Sequence, residues 1–87
     1  MSENIKLIEG SFSGVEAKKL LLCLIDDKIK FHNSKILEDF EKGNENEYSE
    51  LRIKELKKLR LHIIEYLDNL GEKNLNINSI INIEEID

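Results

Sequence analysis

Two short stretches near the ends of the chain alternate apolar with polar residues, and two long stretches between them repeat apolar residues at helical spacing. In "NIKLIEG", Ile5 and Leu7 flank Lys6 and Gly10 closes the segment, which predicts a strand over 4–9. In "LNINSIINI", Leu75, Ile77, Ile81 and Ile83 fall on one face and Asn76, Asn78 and Asn82 on the other. That period of two, rich in β-branched residues, predicts a second strand over 75–83. Between them, Ser13 with Glu16 three residues on has the spacing of a capping box, and Phe12 is placed to staple against Ala17. A helix over 14–41 follows, with no proline to break it. "EKGNENE" is the one predicted loop; Asn44 with Glu47 can start a second helix over 46–70, which Gly71 ends as a C′ residue.

The order is β-α-α-β, an α+β fold in a single domain over 1–87. The chain reversals make the strands antiparallel neighbours, and the helices form a long antiparallel hairpin packed on the two-stranded sheet. Two strands alone are marginal. The longer closing strand leaves an edge open, so the expectation is a homodimer or higher homo-oligomer that extends the sheet.

Helical rotation then marks the residues that do not fit. With Leu56 as origin, Ile63, Leu67, Leu70, Leu59, Ile53, Tyr66 and Ile64 fall within about 80° on either side, and so do Arg52 and Arg60. With Ile25 as origin in the first helix, Lys18, Lys28, His32 and Asp39 share the arc of Leu21, Leu22, Ile29, Ile36 and Phe40. Leu20, Leu24 and Phe31 widen that arc beyond what one helix partner covers. For a turn near residues 44 and 45, His32 lies level with Lys57 and Lys28 with Leu61. Lys28, His32 and Arg60 then share one height, and Arg52 sits beside Asp39.

Like charges at an apolar seam need a counter-charge or water. Three arrangements supply one. Lys28 and Arg60 can snorkel while Asp39 pairs with Arg52 and His32 stays a neutral core residue. Carboxylates of the C-terminal "EEID", from this subunit or a neighbour, can pair with the cations. Or an anionic ligand, such as a phosphate-bearing small molecule, can be held by the arginine forks with Lys28 and His32.

The chain's 87 residues carry a net charge of −5, which argues against binding DNA or RNA through a broad basic surface. One cysteine, Cys23, gives neither a disulfide framework nor a cysteine-based zinc site and points to a reducing compartment. The start of the chain lacks a signal-peptide pattern, and "LLLCLI" is too short to span a bilayer, so the expectation is a cytoplasmic protein with no membrane contact. The four glycines are scattered outside any phosphate-loop spacing, neither His32 nor His62 belongs to a metal-ligand motif, and no acid and base are matched. No catalytic residue, metal or cofactor is expected. Tyr66 is placed on the apolar flank, where its ring could serve a ligand.

The stretches "FSGVEA", "KIKFH" and "RIKELK" have the pattern F-S-x-x-E-A, K-I-x-F-H and R-I-x-E-L-K, at Phe12, Ser13, Glu16, Ala17, Lys28, Ile29, Phe31, His32, Arg52, Ile53, Glu55, Leu56 and Lys57. With the Ile-rich closing strand, this resembles a family of small uncharacterised bacterial β-α-α-β proteins. Relatives of that pattern carry an Arg-Phe-Gly element between the helices, whereas "DFEKG" here lacks the arginine and separates Phe40 from Gly43. The resemblance implies no activity, but it singles out Lys28, His32 and Arg52.

The residues therefore lead to a non-enzymatic, homo-oligomeric small-molecule binding protein. Its site comprises Lys28, His32, Arg52, Arg60 and Tyr66, and its ligand is a phosphate-bearing signalling nucleotide, as in a phage anti-defence sponge. The alternative is a protein-protein interaction module that inhibits or scaffolds a partner enzyme.

Overall fold

A computed structural model describes residues 1–86 and has the expected element order: β1 (Ser2–Ser13), α1 (Gly14–Glu41), α2 (Glu47–Leu70) and β2 (Asn74–Glu84). β1 and β2 pair antiparallel as a two-stranded sheet, and the helices pack against each other as a hairpin. No described helix is long and apolar enough to cross a membrane.

The caps explain where the helices begin and stop. Ser13 Oγ accepts from the Glu16 amide at 3.1 Å while Glu16 Oε1 accepts from the Ser13 amide at 2.9 Å, so the predicted capping box forms. That amide holds the Glu16 carboxyl below the usual carboxylate range. α1 ends in a Schellman motif: the Gly43 and Asn44 amides donate back to Phe40 and Asp39, with Gly43 at φ 78° where a side chain would be strained. α2 is capped by Asn46 rather than Asn44, its Oδ1 accepting from the Ser49 amide at 2.9 Å. Asn44 is instead taken up in closing α1. At the other end of the hairpin α2 meets the start of α1 closely; a Cβ on Gly14 would lie 2.7 Å from the Gly71 carbonyl oxygen.

The sheet differs from the expectation in two ways. β1 runs six residues beyond its predicted 4–9 bounds, so the strands are matched in length and β2 does not overhang β1. Pairing of Lys6 with Ile80 and of Ile8 with Ser79 leaves Leu7 as an extra residue, a β-bulge. The bulge changes which residues share a face: Ile8, not Leu7, joins Ile5. The resulting apolar face carries Ile5, Ile8, Phe12, Leu75, Ile77, Ile81 and Ile83, while Asn4, Lys6, Glu9, Asn76, Asn78 and Asn82 lie on the other. Asn82 Nδ2 donates to Asn4 Oδ1 at 2.6 Å across that polar face.

The core is small: Ala17 and Ile25 of α1, Ile53, Leu56 and Leu67 of α2, and Ile8 of the sheet. α1 is the helix that touches the sheet. Cover stops part-way along the apolar face, since Ile8 is 7% exposed but Ile5, Ile81 and Ile83 are 44%, 40% and 54% exposed. The molecule is correspondingly open. Its radius of gyration is 16.0 Å, against about 12 Å for a compact chain of this length.

Candidate functional site

Polar side chains bridge the helical hairpin at several levels, and they fix its register. Lys18 Nζ lies 3.0 Å from Asp68 and Arg60 Nε lies 2.8 Å from Asp26; these pairs, 50 and 34 residues apart, are both centred on Gly43. Near the turn, Asn46 Nδ2 donates to Asp39 at 2.7 Å while Asn46 caps α2 through the Ser49 amide. Ser49 Oγ in turn lies 3.0 Å from His32 Nδ1, both side chains being buried. Asp39, Asn46, Ser49 and His32 thus form a connected polar chain closing the turn end of the hairpin. No buried side-chain polar atom among the described residues lacks a hydrogen-bond partner.

The five residues singled out by the sequence are divided by this arrangement. His32 is enclosed, with the rings of Phe31 and Tyr48 edge-on at 5.4 and 6.1 Å. Arg60 places its fork on Asp26, with Nη2 at 3.3 Å from the second carboxylate oxygen. The hydrogen bonds from Arg60 hold the Asp26 carboxyl below the usual carboxylate range, and the same bonds raise the Arg60 guanidinium. Arg52 pairs with Glu55 on its own helix at 3.5 Å; the expected Arg52–Asp39 pair does not form, since a turn centred on Gly43 sets Asp39 level with Glu47 rather than Arg52, and Asn46 Nδ2 donates to the Asp39 carboxylate. Lys28 is exposed and has no ion-pair partner among the described residues. Tyr66 is exposed on α2, its ring stacked with that of His62 at 6.3 Å.

Heptad spacing sorts these side chains into two flanks. Lys28 follows Leu21 by seven residues, and Arg52 precedes Leu59 and Tyr66 by seven and fourteen, so each set lies along one stripe of its helix, drifting by about 20° per heptad. Leu21 and Tyr66 line a groove of about 200 Å³ with Ile63, Leu67 and Leu70 of the helices and Leu75 and Ile77 of β2. Lys28, Arg52 and Tyr66 therefore belong to the flank that turns toward the sheet. Asp26 is rotated from Leu21 and Lys28 by about 140° and 160°, and Arg60 from Arg52, Leu59 and Tyr66 by about 80° to 120°.

Asp26, Asn46 and Ser49 are polar partners that sequence reasoning did not identify. The signal for Asp26 was its distance from the turn, equal to that of Arg60 once the turn is centred on Gly43. Among the described residues no group of three or more His, Cys, Asp or Glu side chains converges as a metal site. Cys23 is free and exposed. Compared with protein-family models, with curated proteins and with solved structures, the chain matches none.

Proposed function

We propose that this protein is a non-enzymatic interaction module, acting through surface that it covers on binding. One observation carries this reading. The chain exposes 7182 Å², whereas a compact monomer of 10.2 kDa exposes about 5,300 Å². The surplus of about 1,900 Å² exceeds the roughly 800 Å² that each partner buries in a standard stable interface. The polar side chains are spent inwardly by comparison: His32 and Ser49 satisfy each other in the core, and Asp26 and Arg60 neutralise each other. Neither pair offers a substrate an available acid, base or nucleophile.

The test combines small-angle scattering with binding of a hydrophobic dye. An interaction module either associates or, as an isolated chain, binds the dye and keeps a radius of gyration near 16.0 Å. A dye-silent monomer with a radius near 12 Å contradicts the reading.

A second reading is favoured by the position of Lys28. Exposed and without an ion-pair partner, it shares the sheet-facing flank with Arg52 and the ring of Tyr66. A phosphate-bearing small molecule, such as a signalling nucleotide sequestered by a phage anti-defence protein, would find cation and aromatic ring on that flank in a site completed by assembly. A ligand at about 100 times its dissociation constant would add about 2.7 kcal/mol, raising the melting midpoint by about 10 °C. Loss of that shift in Lys28→Ala and Arg52→Ala supports this reading. An unchanged midpoint across phosphate, mononucleotides and cyclic oligonucleotides opposes it.

A further inference from the structure

We infer that the outer half of the sheet's apolar face is a self-recognition surface. On this inference Ile5, Ile81 and Ile83 of one copy pack on the Leu59–Tyr66 stripe of a second copy, reciprocally. It rests on the interaction-module reading and names the partner as this chain itself.

Continuity of surface is the first argument. Along the apolar face of the sheet the inner half is better covered than the outer, with Ile8 buried and Leu75 and Ile77 half-buried. Leu75 and Ile77 line one groove with Leu21, Ile63, Leu67 and Leu70. The outer half has a similar composition and less cover, Ile5, Ile81 and Ile83 being exposed. The row of helix side chains facing it behaves alike: Leu70 and Ile63 are half-buried, whereas Leu59 and Tyr66 on the same stripe are exposed. Two halves of one internal contact are thus left open, each chemically suited to the other but separated within the chain. A two-fold axis that sets the sheet of one copy on the helices of the other covers both at once, because every contact occurs twice.

Charge gives the second argument. Glu3 lies opposite Ile83 on the apolar face and Glu84 and Glu85 follow on the same end of the sheet, making the end acidic. The helix flank it would reach carries Lys28, which has no ion-pair partner among the described residues, and Arg52, held by one long contact to Glu55. Opposite charges at the ends of the two apolar rows would set the register of the pair and disfavour sheet-on-sheet stacking, in which the acidic ends meet. Area is the third argument: the surplus on each chain is enough for its share of a standard interface.

The test is the mass of the purified 87-residue chain by light scattering, measured with its variants. Wild type is expected at twice 10.2 kDa. Ile81→Glu and Ile83→Glu should each raise the dissociation constant by about 100-fold, since two carboxylates per dimer enter apolar contacts. Ile80→Glu, on the opposite and polar face, should leave it unchanged, and circular dichroism should show all three folded. Lys28→Glu should weaken the pair and Glu3→Lys in the same chain restore it. Association that survives both isoleucine variants overturns the assigned surface. A wild-type monomer that binds hydrophobic dye overturns self-recognition while leaving the interaction module standing. A dye-silent monomer with a radius of gyration near 12 Å removes both.

Discussion

The turn end of the helical hairpin and the outer half of the sheet solve the same problem with opposite success. At the turn, Asp39, Asn46, Ser49 and His32 satisfy one another, Gly43 closes α1 and Asn46 caps α2, so the polar groups there need no partner, although Phe40 and Tyr48 beside them are exposed. On the sheet, the backbone ladder is complete out to the Glu85 amide, which donates to Met1 O, yet the isoleucines on its apolar face stay in water. Among the described residues every buried side-chain polar atom is partnered, while much of the apolar surface lacks cover. A small domain buries a limited fraction of its surface, and here the uncovered apolar residues include the outer sheet face as well as Val15, Leu37 and Phe40 of α1 and Leu51 and Leu61 of α2.

Truncations of similar size separate the two regions. Leu56→Ala, at the most enclosed large side chain, 1% exposed, should cost about 3 kcal/mol, as read by denaturant titration. Ser49→Ala should cost about 2 kcal/mol by leaving the buried His32 Nδ1 without its partner; adding His32→Leu should recover part of that loss, which a double-mutant cycle detects. Ile83→Ala should change the stability of the isolated chain by less than about 0.5 kcal/mol, because its side chain is already hydrated, while weakening association. A loss at Ile83 comparable with that at Leu56 in dilute monomer would erase the distinction between the regions.

The smallest effect is electrostatic. Asp26 and Arg60 form a fork on the exposed side of the hairpin, where solvent screens the pair. Because the folded carboxyl titrates below its ordinary value, its stabilisation is fully present above the ordinary carboxylate range and is lost as pH falls through the lower folded value. Asp26→Asn should therefore flatten part of the decline in melting temperature below about pH 4. Any flattening at neutral pH would contradict the assignment to Asp26.

The elements and the first helix cap were legible because they depend on neighbours in sequence: Ser13 and Glu16 fix a helix start wherever the rest of the chain goes, whereas the α2 cap fell to Asn46 and not to the expected Asn44. The bulge was not. Alternation from Ile5 points to Leu7, and only the pairing of Ile8 with Ser79, a contact across the whole chain, puts Ile8 on the apolar face. The five candidate site residues are divided between two flanks for a related reason. Moving the centre of the turn by one residue moves the partner of every residue on the facing helix by two. The Gly43-centred turn accordingly brings Asp26 level with Arg60 and displaces Lys28 from the level first expected. Charge type was readable in sequence, but pairing required a register.

The central claim, that the sheet's outer face is covered by a second copy, is tested most directly by small-angle scattering over a dilution series. The account predicts a two-chain particle at high concentration that dissociates to a single chain with a radius of gyration near 16.0 Å. A single chain at every concentration, with a radius near the compact value of about 12 Å, would contradict it.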